Sequence, residues 1–274
     1  MERVEKRFIK IPFLKENNIF IFLNLITIKI KLFGLENLKH NDKLVPKIKK
    51  RKGVTMKFFL DTADVIVIEK FVSTGIVDGV TTNPSLLCKQ GKPPVIIIKK
   101  ICAILSGKPV SVQVTEHDVD AVYKQAKKIA SIAENVVVKI PCDIRYYNVI
   151  KKLAKEGVKI NATLVFSVAQ GICMCKLGVA YISPFIGRID DIAECGMELV
   201  EDLRRALDLY KFKTEILAAS IRSVDHVKES ILAGADIGTV PPSIFEKMLH
   251  HPLTEEGMKR FNKDWKKLNI DMFP

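Results

Sequence analysis

The chain has 274 residues, a length that fits one large α/β domain or two ordinary ones. Its 48% hydrophobic and 27% charged content excludes a disordered or collagen-like chain, and no run of 18 apolar residues predicts a transmembrane helix. The net charge of +13 is uneven: residues 1–55 hold 14 Lys/Arg against 5 Asp/Glu, a net of +9, and residues 56–274 hold 30 against 26, only +4, which argues against a nucleic-acid-binding protein and suits a phosphorylated substrate.

Residues 1–55 contain no alanine and are crowded with Lys, Ile, Asn, Leu and Phe. Ile19–Ile28 is an apolar run broken by Asn24, too short to span a bilayer. Arg3, Lys6, Arg7, Lys10 and Lys15 precede it, as in a signal peptide, but no small-residue cleavage site follows. The segment reads as a basic leader, non-native or disordered, with Lys47–Lys52 as a solvated tail. Met56 reads as the start of a single domain, 56–274.

From there, short β-branched runs alternate with segments of helical period. The predicted strands are 57–61, 78–82, 110–115, 136–141, 159–165, 180–186, 214–220 and 236–241. Between them, Val119, Val122, Ala126, Ile129 and Ile132 recur at helical spacing, as do Met197, Val200, Leu203 and Leu207. Gly75, Gly157, Gly178 and Gly234 sit where helices should end. Eight such units, with strands apolar on both faces, predict an α/β fold: a closed (β/α)8 TIM barrel. An open doubly wound sheet is the alternative, but no Gly-x-Gly-x-x-Gly follows any strand. An extra C-terminal helix, 254–268, carries Met258, Phe261, Trp265 and Leu268 as an apolar stripe, to be packed on its own barrel or on a neighbouring subunit.

Barrel chemistry sits at the carboxyl ends of the strands. The polar residues predicted there are Asp61, Thr82, Asn83, Gln113, Lys139, Asn161, Thr163, Arg188, Asp190, Ser220 and Arg222. Lys139 stands out within Val136-Val137-Val138-Lys139-Ile140-Pro141. A desolvated ammonium is costly, so its pKa falls and a neutral amine becomes available to form a Schiff base with a carbonyl; otherwise the lysine snorkels to solvent. Asp61 is either the matching acid/base or the N-cap of a helix over 62–74. Arg188 and Arg222 either clamp a phosphate or pair with Asp190 or Asp191. None of the six cysteines makes Cys-x-x-Cys and the five histidines are scattered, so no metal site is expected, and reduced thiols point to the cytoplasm.

Six motifs in order then resemble the small transaldolases and the related fructose-6-phosphate aldolases over residues 57–268. They are Leu60-Asp61-Thr62, Gly79 to Ser85 (GVTTNPS), Val138-Lys139-Ile140-Pro141, Asn161 to Phe166 (NATLVF), Ser183 to Asp191 (SPFIGRIDD) and Ala218-Ala219-Ser220-Ile221-Arg222. The resemblance implies a metal-free, cofactor-free class I aldol mechanism. It implies Lys139 as the Schiff-base lysine, Asp61 as acid/base and Thr163 as holder of a catalytic water. It assigns Asn83 and Asn161 to the dihydroxyacetone unit, and Arg188, Ser220 and Arg222 to the sugar phosphate. It also implies homo-oligomers, rings of five paired into decamers. Gln113 departs from the glutamate usual in transaldolases and resembles the aldolases. Phe185, where those aldolases usually carry tyrosine, and Arg222 favour transaldolase. A phosphosugar isomerase on the same barrel would need a carboxylate base and no covalent chemistry.

Overall fold

The computed structural model describes residues 55–268; residues 1–54, with the apolar run and the basic tail, lie outside the described residues. Eight parallel strands close into a barrel in chain order: β1 Lys57–Asp61, β2 Gly79–Thr81, β3 Val110–Gln113, β4 Val136–Pro141, β5 Ile160–Val165, β6 Tyr181–Pro184, β7 Glu215–Ala218 and β8 Ile237–Val240. Leu60 of β1 lies opposite Val240 of β8, so the sheet has no edge. All eight predicted strands are present, most trimmed by a residue or two at their ends. The strands predicted at 180–186 and 214–220 lose the most, three residues each, and Ile186 opens a short helix instead of ending a strand.

The strands are apolar on both faces because two cores need them. Leu60, Val80, Val112, Val138, Ile182 and Val240 pack into the layer between barrel and helices, with Ile68, Ile101, Leu153, Leu203 and Phe245. The alternate residues Phe59, Val137, Tyr181, Leu217 and Ile237 form a separate cluster inside the barrel. The Phe59 and Tyr181 rings meet edge to face at 6.2 Å. A Cβ at Gly79 would lie 2.6 Å from the Phe59 ring, so only glycine leaves the ring its place.

The helices are α1 Val65–Val72, α2 Pro84–Cys88, α3 Pro94–Leu105, α4 Val119–Ala130, α5 Tyr147–Lys155, α6 Val168–Leu177, α7 Ile186–Asp190, α8 Gly196–Tyr210, α9 Val224–Leu232, α10 Pro242–Leu249 and α11 Pro252–Lys266. The four glycines predicted at helix ends all have positive φ, between 77 and 84°. Asp64, not Asp61, caps α1: its Oδ1 accepts from the Ile66 and Val67 amides at 3.0 and 3.2 Å. The predicted helix 62–74 therefore begins at Val65, and Asp61 has no capping duty. The extra helix, α11, buries none of its side chains, so the stripe of Met258, Phe261 and Trp265 is exposed and not packed into the barrel core. Among the described residues no helix is long and apolar enough to cross a membrane.

Candidate active site

The inner face of the barrel changes character along its axis. Below lies the apolar cluster; above it, most strands contribute a polar side chain near their carboxyl ends. Asp61 closes β1 and stands opposite Thr81 of β2; Lys139 of β4 stands between Gln113 of β3 and Asn161 of β5. A cavity of about 140 Å³ opens there. Seven predicted residues line it: Asp61, Asn83, Lys139, Asn161, Phe185, Arg188 and Ser220. Gln113, Thr163 and Arg222 are not among its lining residues.

Lys139 is 6% exposed, between the fully buried Val138 and Ile140. Burial holds its ammonium below the usual lysine range; the Asp61 charge pulls the other way. Burial likewise raises the Asp61 carboxyl, against the opposing pull of Lys139 and of a hydrogen bond from Thr81. The two groups are thus pushed toward sharing a proton. The Lys139 Nζ also stands 5.9 Å from the centroid of the Phe185 ring, which the Phe166 ring meets edge to face at 6.0 Å.

Several side chains are fixed by partners, which leaves chosen atoms for a ligand. The Asn161 amide donates to Ser111 Oγ at 3.3 Å and accepts from Ser183 Oγ at 2.7 Å. Asn83 Oδ1 accepts from the Leu86 amide at 3.0 Å as the cap of α2, so its NH2 is the group left to donate. Thr163 Oγ1 is buried with no hydrogen-bond partner among the described residues, although such a hydroxyl normally has one. A β-bulge follows it, with Leu164 at φ +59° breaking the β5–β6 register.

On the far rim, Ser220 follows β7 at φ +60°, a strained conformation for a non-glycine residue. The Arg222 guanidinium forks onto the Asp191 carboxylate, Nη2 to Oδ2 at 2.7 Å and Nη1 to Oδ1. That is one of the two ion pairings read in the sequence for these arginines. Arg222, first, and then the charge of Arg188 hold Asp191 below the ordinary carboxylate range.

Sequence reading missed the hydroxyls. Thr81 Oγ1 donates to Asp61 Oδ1 at 2.8 Å and shares a 2.6 Å contact with Thr239 Oγ1; both threonines line the cavity, as does Ser183. Their only signal was a hydroxyl recurring at inward positions of otherwise apolar strands. Among the described residues, no three of His, Cys, Asp and Glu gather to hold a metal ion.

Fold and cavity together define a TIM-barrel protein with its polar groups collected at the carboxyl ends of the strands, the face on which barrel enzymes work. The chain belongs to the Transaldolase/Fructose-6-phosphate aldolase family, which matches residues 58–272. A probable transaldolase of Lactiplantibacillus plantarum is 51% identical over 211 residues, covering 77% of this chain and 97% of that one. Those of Hyphomonas neptunium and Thermodesulfovibrio yellowstonii are each 47% identical, over 79% and 78% of this chain and 100% and 99% of their own. A solved flavocytochrome b2 with sulfite bound, 12% identical, superposes with a TM-score of 0.50 over 68% of this chain and 56% of its own, a likeness of fold alone.

Proposed function

We propose that this enzyme is a transaldolase that moves a dihydroxyacetone unit between sugar phosphates through a Schiff base on Lys139. The buried Lys139 and the half-buried Asp61, both lining the cavity at the mouth of the barrel, carry this reading. Burial keeps a fraction of Lys139 as free amine, and that amine attacks the ketose carbonyl. Loss of water gives an iminium, into which the electrons of the adjacent carbon–carbon bond flow when it breaks. Asp61 takes the proton of the hydroxyl that becomes the departing aldehyde, and it returns a proton when the acceptor aldehyde adds. Water then releases the product ketose and regenerates the amine. In the pentose phosphate sense, sedoheptulose 7-phosphate and glyceraldehyde 3-phosphate give erythrose 4-phosphate and fructose 6-phosphate.

The remaining residues take supporting roles in this reading. The buried, protein-unsatisfied hydroxyl of Thr163 supports its holding the catalytic water, which Gln113 orients without changing its own charge. Asn83, whose Oδ1 is taken by the Leu86 amide, and Asn161, whose NH2 keeps a second hydrogen beyond the one given to Ser111, donate to the dihydroxyacetone hydroxyls. Arg188, Ser220 and Arg222 receive the phosphate. Catalysis belongs to residues 56–274: the relatives, matched over 97–100% of their own length, need only 211–217 residues of this chain. The exposed apolar stripe of α11 supports a homo-oligomer, a decamer in the family pattern, and six free thiols suit the cytoplasm.

One observation favours a second reading, a fructose-6-phosphate aldolase: Gln113 stands in register with Lys139 where transaldolases carry glutamate. A paired assay separates the two. Transfer of dihydroxyacetone to erythrose 4-phosphate is expected to outrun release of free dihydroxyacetone from fructose 6-phosphate. Equal rates would make this an aldolase.

A further inference from the structure

The α7 turn carries two successive carboxylates with different attachments. Asp190 is fixed: its Oδ1 accepts from the Gly196 amide at 2.9 Å and its Oδ2 lies 3.4 Å from His226 Nε2. Asp191, half exposed, grips both Nη atoms of Arg222 instead. To reach it, the Arg222 side chain crosses Gly187. A Cβ there would lie 2.6 Å from Arg222 Nε and 2.5 Å from the Ser220 carbonyl, so a glycine is required for this route. The result is that Arg222 is directed at Asp191, while its neighbours Arg188 and Ser220 line the cavity.

We propose that Asp191 is an anion latch on Arg222, occupying the guanidinium fork until the phosphate of a substrate displaces it. This rests on the reading of Arg222 as a phosphate ligand. A phosphate dianion offers the same bidentate geometry as the carboxylate with one more charge, so it wins the exchange. The uncharged end of an unphosphorylated sugar does not. The latch therefore raises the apparent Kd of any ligand that uses the Arg222 fork, according to the fraction of Arg222 it holds, and leaves a ligand that does not use the fork unaffected. Asp191 thus sets the affinity for the phosphate end of a substrate, without contact to the reacting carbons.

The test is calorimetric titration of inorganic phosphate into the wild type, Asp191→Asn, Asp191→Ala, Arg222→Ala and the Asp191→Asn/Arg222→Ala double variant, all at one ionic strength. Releasing a half-exposed ion pair is expected to lower the phosphate Kd by roughly two- to fivefold in both Asp191 variants. Arg222→Ala should raise the Kd, and the double variant should match Arg222→Ala alone. Asp191 variants that bind phosphate no tighter, or more weakly, while Arg222→Ala still weakens binding, would overturn the latch and leave the phosphate site standing. Unchanged binding in Arg222→Ala, or no binding to the wild type, would overturn the phosphate reading and the latch with it.

Discussion

Two charge pairs sit at opposite ends of this barrel. At the amino end of β8, Asp236 is 2% exposed; it accepts from the Ile216 amide at 2.8 Å and from Arg204 at 3.0 Å, and Arg204 also donates to Asp208 at 2.6 Å. At the carboxyl end, Lys139 lies between apolar strand neighbours and meets Asp61 across a cavity lined by both. The first pair is tied down by hydrogen bonds and a backbone amide. The second keeps its protons negotiable. A buried charge held by several hydrogen-bonded partners ties elements together, whereas one whose desolvation is left uncompensated is poised to exchange a proton.

Substitutions break this comparison in different ways. Lys139→Met should abolish dihydroxyacetone transfer altogether, measured by coupled assay with fructose 6-phosphate and erythrose 4-phosphate. Combined with Asp61→Asn, it should melt above the wild type at pH 7. The lysine pKa is depressed in the folded state, so in the alkaline window below about 10.4 the unfolded chain binds more protons and wild-type stability rises with pH, whereas the raised Asp61 carboxyl works the other way as the pH climbs through its own range. The melting advantage of the double variant should therefore shrink across that window. A constant or growing advantage would mean that Lys139 is not desolvated.

Asp236→Ala should act on stability instead. Leaving Arg204 buried without that partner should cost about 3–5 kcal/mol in denaturant unfolding, while kcat of the folded fraction holds. A loss of kcat with unchanged stability would reverse the roles given to the two ends. Asp61→Asn should lower kcat by about 10²–10⁴, the usual range for a general acid/base, with little change in stability. A nearly active variant would move the proton to another group. The smallest effect is expected on the ring beside Lys139. Phe185→Tyr brings a hydroxyl near the amine and should raise release of free dihydroxyacetone relative to transfer by a few-fold, on the order of one hydrogen bond. An unchanged ratio would remove Phe185 from the partition.

The contrast also explains what the sequence made legible. Strands apolar on both faces at regular spacing announced a closed parallel barrel, because few other folds bury both faces of a strand. Lys139 stood out since nothing else in Val136–Ile140 is polar. Thr81 and Thr239 did not stand out, because threonine is an ordinary strand former and its inward direction depends on barrel closure. Asp61 was readable as a helix cap until Asp64 was seen to perform that task. Ile186 read as strand because a one-turn helix leaves no periodic trace. The fork between Arg222 and Asp191 joins residues 31 apart, and the pairing depends on how two loops meet. The α11 stripe was plain as a period, but a period does not say what covers it.

The central claim is that Lys139 carries the covalent intermediate, and trapping tests it most directly. The enzyme is incubated with fructose 6-phosphate, reduced with borohydride, digested and sequenced by mass spectrometry. The account predicts a reduced three-carbon adduct on Lys139 alone, absent without substrate and absent from Lys139→Met. An adduct on a different lysine, or turnover with no adduct on any lysine, would contradict it.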